Sequence, residues 1–88
     1  EELYEFDVFP NPSKGIVNVN LNSAESNSID LSVMNIAGQT VYTDQFFLVE
    51  GDNTIPLNLT LKDGCYFVNF SREGKPAYFT KKLVIQQE

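Results

Sequence analysis

The sequence predicts an all-β fold, a seven-stranded antiparallel β-sandwich of the immunoglobulin-like or fibronectin-like Greek-key type. Apolar and polar residues alternate with a period of two along most of the chain, and helical spacing of apolar residues is absent. The alternating runs are short and are separated by clusters of Gly, Pro, Asn, Asp and Ser, as in a sandwich. A chain of 88 residues is the size of one domain with one modest core.

The alternation predicts the strands in chain order. They cover residues 3–9, 16–22, 28–36, 39–48, 54–61, 64–72 and 77–86. In the second strand Val17, Val19 and Leu21 alternate with three asparagines, as expected for a strand with one buried and one wet face. In the third strand the apolar phase shifts between Val33 and Met34, which predicts a β-bulge or a strand buried on both faces near its end.

Three later strands carry signs of sheet edges. Pro56 lacks an amide hydrogen, so the fifth strand is expected at an edge with its amide side outward. Lys81 shares the apolar phase of Leu83 and Ile85, which indicates either a guard against edge-to-edge pairing or a side chain that reaches out at the rim. The apolar run 46–49, if partly exposed, is the expected place for an edge-mediated dimer.

The segments between the strands have turn chemistry. They are residues 11–15, 23–28, 37–38, 50–53, 62–64 and 73–76. The acidic segment 50–53 lacks the alternating oxygen ligands of a calcium loop, so we expect a solvated hairpin turn there. Tyr66 opens the sixth strand directly after a turn and resembles the tyrosine corner of Greek-key sandwiches, which favours a sandwich over a closed barrel.

The composition argues against an enzyme. The chain has no histidine and one cysteine, which excludes Ser-His-Asp and Cys-His nucleophile systems, the usual zinc sites and an intrachain disulfide. Cys65 is expected to be a small, semi-buried thiol without a catalytic role, and paired carboxylates at catalytic spacing are absent. The sequence therefore predicts no catalytic residue, no metal ligand and no cofactor.

The charge of the chain is uneven. The net charge is −6, which argues against binding to nucleic acid or anionic lipid, and no apolar run is long enough to span a bilayer. Residues 1–60 hold nine acids and one base, Lys14, whereas residues 61–88 hold five bases and three acids. The C-terminal third is therefore a positively charged part of an acidic protein.

Four segments, in this order, carry a resemblance to a known family. They are Phe-Pro-Asn-Pro-Ser-Lys-Gly at 9–15, Val-Met-Asn-Ile-Ala-Gly-Gln-Thr-Val at 33–41, Leu-Lys-Asp-Gly-Cys-Tyr-Phe-Val at 61–68 and Lys-Lys-Leu-Val-Ile at 81–85. This pattern looks like the C-terminal sorting domain (type A) of proteins exported by the type IX secretion system of Bacteroidetes. The opening segment is its most specific element, because two prolines and a glycine stand at fixed offsets. The resemblance covers nearly the whole chain.

The resemblance implies a function in secretion. Residues 1–88 would be a single sorting domain cut from the end of a larger cargo protein, which enters the periplasm by its own N-terminal signal. The outer-membrane translocon would recognise the domain, and a sortase-like cysteine peptidase would remove it. The cargo would then be released or joined to surface lipopolysaccharide.

The resemblance also implies that the last strand is the principal element that the translocon recognises. By position this element is Lys81, Lys82, Leu83, Val84 and Ile85 here. The other family positions are Pro10, Asn11, Pro12, Gly15, Gly38, Gly64 and Tyr66. We expect these positions to be largely structural, because turn geometry accounts for most of the glycines and prolines. The chain departs from the family in having Asn35, where Asp is frequent, and in ending Gln-Gln-Glu rather than with a basic residue.

Two hypotheses follow. In the first, the positively charged last strand docks to a partner through main-chain pairing, with the lysines setting the register. In the alternative, the chain is an accessory spacer or carbohydrate-binding module of a secreted hydrolase or adhesin, which requires a row of exposed aromatic side chains. The candidates for that row are Tyr4, Tyr42, Phe46, Phe47, Tyr78 and Phe79, although most of them are expected in the core.

Overall fold

The computed structural model describes residues 5–72 and 79–87, without the side chains of Glu5, Phe6 and Phe79. Within these residues the chain forms seven strands and no helix. The strands are β1 (Glu5–Phe9), β2 (Ile16–Ser23), β3 (Asn27–Asn35), β4 (Thr40–Leu48), β5 (Gly51–Asn58), β6 (Gly64–Arg72) and β7 (Phe79–Ile85). Of the predicted segments, the turn at 73–76 and the starts of the first and last strands lie outside the described residues.

The strands form two antiparallel sheets. In the described part of the chain, one sheet has the order β1-β2-β5 and the other has the order β4-β3-β6-β7. The chain changes sheets between β2 and β3, between β4 and β5, and between β5 and β6, so the strands of both sheets come from distant parts of the sequence. The predicted all-β sandwich is confirmed.

The core lies between the two sheets and follows the period-two pattern. Val17, Val19 and Leu21 of β2 are buried, while Asn20, which lies between two of them, and Asn22, which follows them, are exposed. The burial of one face and the hydration of the other fix the register, since a slip of one residue would expose the three apolar side chains. The other buried apolar residues are Val8, Ile29, Leu31, Val33, Leu48, Ile55, Leu57, Leu59, Tyr66, Val68, Phe70, Leu83 and Ile85.

Two local predictions about strands are confirmed. The register of β3 on β4 shifts between Val33 and Met34, as the apolar phase indicated. Pro56 lies in β5, which is the outer strand of its sheet and pairs with β2 on one side. Proline is tolerated there because an outer strand has a side on which no amide hydrogen is needed.

The segment 50–53 is not the hairpin turn that the sequence predicted. It carries the chain from β4 in one sheet to β5 in the other, and β5 begins at Gly51. The side chain of Asn53 accepts a hydrogen bond from the amide of Val49 and donates to the carbonyl oxygens of Val49 and Gly51. The side chain of Asn53 thus binds three main-chain groups of the segment that crosses between the sheets, although the sequence of this segment resembles that of a simple turn.

The apolar run 46–49 alternates between core and solvent. Leu48 is buried and Phe46 packs against the core, whereas Phe47 on the outer strand β4 and Val49, the residue after it, are exposed. Partial exposure is the condition under which the run was expected to support a dimer. The dimer itself stays a prediction.

Candidate functional site: the last strand and the opening turn

The last strand β7 lies at one side of the four-stranded sheet. It pairs with β6 from Gly64 opposite Ile85 to Phe70 opposite Phe79. Leu83 and Ile85 are 0% and 1% exposed, so two of the five predicted recognition residues are core residues. A partner that binds the folded domain cannot contact these two side chains.

The two adjacent lysines point to opposite sides of β7. Lys82 and Val84 stand on the outer face of the sheet, where Lys82 is exposed and Val84 is half-buried. Lys81 is in the phase of the core but is exposed, and it lines a polar cleft with Asp7 and Asp52 on the side of the other sheet. The sequence indicated this outward reach at the rim. The lysines therefore belong to different surfaces.

The opening turn, residues 9–15, lies along the side of β7 that faces away from β6. The side-chain amide of Asn11 donates a hydrogen bond of 2.8 Å to the carbonyl oxygen of Lys82. Its Oδ1 accepts a hydrogen bond of 2.9 Å from the amide of Val84. One asparagine side chain thus imitates the main chain of a neighbouring strand.

Ser13 continues this contact with its own main chain. Its amide donates to the carbonyl oxygen of Val84 at 2.8 Å, and its carbonyl oxygen accepts from the amide of Gln86 at 2.7 Å. Ser13 and Ile85 form a parallel β-bridge, and Ser13 is buried. Asn11 and Ser13 together occupy the outward main-chain groups of β7 from the carbonyl of Lys82 to the amide of Gln86.

This contact bears on the expected mode of docking. Main-chain pairing between a partner and β7 needs open amides and carbonyls on the outward side of the strand. In the folded domain those groups are taken from Lys82 to Gln86, so a partner could pair along this part of β7 only after the opening turn had moved away. What β7 offers a partner there is its exposed side chains. Docking by main-chain pairing stays a prediction.

The opening turn is held in place by Gly15. Its φ is +122°, and its amide donates to Oγ of Ser13 at 2.9 Å. Its carbonyl oxygen accepts a hydrogen bond of 2.7 Å from the amide of Leu59, and a Cβ on Gly15 would lie 2.5 Å from the carbonyl oxygen of Leu59. Both the positive φ and this close approach require glycine. Pro10 and Pro12 follow cis peptide bonds and are exposed in the same turn.

The central family positions are in the turn between β3 and β4. Gly38 has a φ of +86° and donates its amide to the carbonyl oxygen of Asn35. Oδ1 of Asn35 accepts hydrogen bonds from the amides of Ala37 and Gln39. A carboxylate oxygen could accept both, so the departure from Asp to Asn leaves this part of the turn unchanged.

Tyr66 forms the predicted tyrosine corner. Its hydroxyl donates a hydrogen bond of 2.7 Å to the carbonyl oxygen of Lys62, four residues upstream, and its ring is buried. Gly64 starts β6 between the two residues. Both positions support the fold at the end of the sandwich where β7 finishes.

Cys65 is an exposed free cysteine, whereas the sequence predicted a semi-buried thiol. It lies opposite Val84 in the register of β6 on β7, on the outer face of the sheet. Among the described residues, no three His, Cys, Asp or Glu side chains come together as a metal site would require. No helix in this part of the chain has the length and apolar character needed to cross a membrane.

The contact between the opening turn and β7 was not predicted from the sequence. The available signal was the pair of hydrogen-bonding side chains, Asn11 and Ser13, at alternate positions before Gly15. Such residues are also ordinary turn formers, so their spacing does not show which strand they contact.

A comparison of the chain with models of known protein families gives a match. The family model described as the secretion system C-terminal sorting domain matches residues 7–86, from the middle of β1 to the residue after β7. A comparison with curated proteins finds no match. The family is one of secretion signals and not of enzymes, and its domains are parts of larger cargo proteins that the type IX system exports to the cell surface or the medium. The chain belongs to the C-terminal sorting domain family of the type IX secretion system.

Proposed function

We propose that residues 1–88 are a single sorting domain that the outer-membrane translocon recognises from the periplasmic side through exposed residues of β7. A sortase-like cysteine peptidase then removes the domain from the cargo. The observation that carries the proposal is the position of Lys82 and Val84 on the outer face of a terminal strand, with Leu83 between them in the core. Alternate residues of the strand thus belong to the core and to the surface that a partner can reach.

The charge of the chain supports this assignment. Lys81 and Lys82 belong to the positively charged C-terminal third of a protein whose net charge is −6. Exposed lysines in an acidic protein form a local surface that an acidic partner can distinguish from the rest of the domain. Lys82 is exposed on the outer face, where a partner can reach it, and Lys81 is exposed on the opposite side of the strand.

Deletion of the last strand is an unsuitable test, because it removes Leu83 and Ile85 from the core. We propose instead single substitutions in a reporter fused ahead of this chain and expressed in a bacterium with a type IX system. Lys82→Gln and Lys81→Gln each remove one positive charge. Thr43→Glu is the matched control, because it changes the net charge by the same amount at an exposed position of β4 in the same sheet.

The expected result is that Lys82→Gln lowers the exported fraction of the reporter, while Thr43→Glu leaves it unchanged. Thermal unfolding of the 88-residue chains should give the same midpoint for both. Export of the double variant Lys81→Gln, Lys82→Gln at the level of the unsubstituted fusion would refute recognition through these lysines.

Removal of the domain is tested on the exported reporter. Mass spectrometry of the reporter from the cell surface and the medium should show a protein that lacks the sorting domain. In a strain without the sortase-like peptidase, the domain should remain attached. A reporter that keeps the domain in both strains would contradict the cleavage step.

The alternative, a carbohydrate-binding module, has weaker support. Tyr42 and Phe46 pack against the core, and the exposed Phe9 and Phe47 lie on different sheets. Among the side chains that the structure describes, exposed aromatics therefore do not form the row on one face that a sugar platform needs. Tyr4, Tyr78 and the side chain of Phe79 lie outside the described residues.

A further inference from the structure

We propose that the partner reads a composite surface that exists only in the folded domain. This surface, the motif face, consists of Pro10, Pro12 and Ile16 from the opening turn and the start of β2, together with Lys82 and Val84 of β7. The inference rests on the proposed function, since it names what the translocon contacts. It places part of the recognition surface about 70 residues away from the last strand in sequence.

The first part of the motif face is apolar. Pro10, Pro12 and Ile16 line one shallow groove next to Gln86, the residue that follows β7. Ile16 is 67% exposed although it begins a strand, and its neighbour Val17 fills the core instead. An exposed β-branched residue beside two exposed prolines provides a rigid apolar contact that loses little side-chain entropy when a partner covers it.

The two parts are joined by fixed hydrogen bonds. Asn11, between the two prolines, bonds to the main chain of Lys82 and Val84, and Ser13 bonds to Val84 and Gln86. The groove therefore lies directly beside the outward side chains of β7. A partner that contacts Lys82 or Val84 from the outer edge meets the opening turn as well.

Charge indicates the chemistry of the partner. Lys14 is the only base among residues 1–60, and it stands in the opening turn with its carbonyl oxygen bonded to the side chain of Gln87. Lys14 lines the groove and is exposed, and Lys82 is exposed on β7, whose main chain the opening turn contacts. The occupant that fits is a protein surface with an apolar protrusion flanked by carboxylates, which we assign to the cargo-binding part of the translocon.

The test compares two apolar-to-acidic substitutions in the reporter fusion. Ile16→Glu alters the motif face, and Phe47→Glu is the control, because Phe47 is 69% exposed on a strand of the other sheet. We expect Ile16→Glu to lower export at least tenfold and Phe47→Glu to leave it within twofold, with equal unfolding midpoints. If both fusions are exported equally, the groove is not part of the signal.

A second variant covers the case in which Ile16→Glu unfolds the chain. Lys14→Gln changes an exposed turn residue outside the strands and leaves its main-chain contact intact. We expect a reduction in export of severalfold without a change in the unfolding midpoint. Export equal to that of the unsubstituted fusion would show that Lys14 and its charge take no part in recognition.

The composite nature of the signal is tested with a fusion that carries residues 79–88 alone. This segment contains all of β7 but neither the opening turn nor the core, so we expect no export. Export at the level of the whole domain would overturn the proposal in favour of a linear signal. If the whole domain also fails to export the reporter, the proposed function fails, which separates the two outcomes.

Discussion

The side-chain amide of Asn11 donates a 2.8 Å hydrogen bond to the carbonyl oxygen of Lys82, 71 positions later in the chain. The same side chain accepts from the amide of Val84, so the first turn of the domain closes the outer side of its last strand. The segment 9–15 and the strand in which we expect recognition are thus parts of one contact. This relationship explains why the opening turn needs a particular side chain as well as turn geometry.

Substitution of Asn11 should destabilise the domain moderately. Asn11→Ala removes two exposed hydrogen bonds, each worth about 0.5–1.5 kcal/mol net, and we expect a loss of about 1–2 kcal/mol in the free energy of unfolding. Asn22→Ala is the control, because Asn22 is an exposed asparagine whose amide bonds to Asp52 on the adjacent strand. Urea unfolding of both chains measures the difference, and equal losses would show that the two hydrogen bonds to β7 contribute no more than the single bond of Asn22 to Asp52.

Gly15 should tolerate substitution less well than Gly38. Both have positive φ, but a Cβ at Gly15 would lie 2.5 Å from the carbonyl oxygen of Leu59, whereas a Cβ at Gly38 would have open space. We expect Gly38→Ala to cost about 1 kcal/mol from backbone strain alone and Gly15→Ala to cost about 2–4 kcal/mol. Thermal unfolding compares the two variants. A smaller effect at Gly15 would mean that the turn relaxes away from Leu59 without loss.

The hydroxyl of Tyr66 should contribute to stability as a tyrosine corner. Tyr66→Phe removes its 2.7 Å hydrogen bond to Lys62 and should cost about 1 kcal/mol, which lowers the unfolding midpoint of a domain of this size by about 4–8 °C. Tyr42→Phe removes a bond to the exposed Asp44 and should have a smaller effect. Equal midpoints for the two variants would argue against the corner.

Substitutions at two neighbouring residues of β7 should have very different effects on stability. Leu83→Ala opens the core and should cost about 2–5 kcal/mol, a large part of the stability of a small domain. Lys82→Gln changes an exposed side chain and should stay within about 0.5 kcal/mol of the original chain. Unfolding by denaturant measures both. A large loss of stability in Lys82→Gln would assign that lysine a structural role.

Tyr42 should ionise above its ordinary range. Burial raises its pKa above 10.0, and the hydrogen bond and negative charge of Asp44 raise it further. The unfolded chain therefore loses this proton at a lower pH than the folded chain, so the contribution to stability is present below pH 10.0 and is lost as pH rises through the folded pKa. In an NMR titration, Asp44→Asn should lower the pKa of Tyr42, while Asp30→Asn, which alters a contact to Gln45, should not.

The sequence predicted the strands well because each strand has its own local signal. Alternation located the core residues of β2, a phase shift located the bulge at Val33 and Met34, and Pro56 located an outer strand. Alternation also located the last strand. These features depend on neighbours in sequence, which a single chain displays directly.

The closing of β7 by the opening turn could not be predicted in the same way. Asn11 and Ser13 are common turn residues, and their partners lie more than 70 positions away. The exposure of Cys65 was missed for a related reason, since its burial depends on the phase of β6 relative to the core. The crossing at 50–53 was read as a hairpin because turn residues do not show which sheet the next strand joins.

The decisive measurement is the export of a reporter fused ahead of the whole chain, in a host with an intact type IX system and in the same host without its translocon. If the chain is a type IX sorting signal, the reporter reaches the surface or the medium in the first host and stays in the periplasm in the second. Equal export from both hosts, or periplasmic retention in both, would contradict the assignment of this chain as a type IX sorting signal.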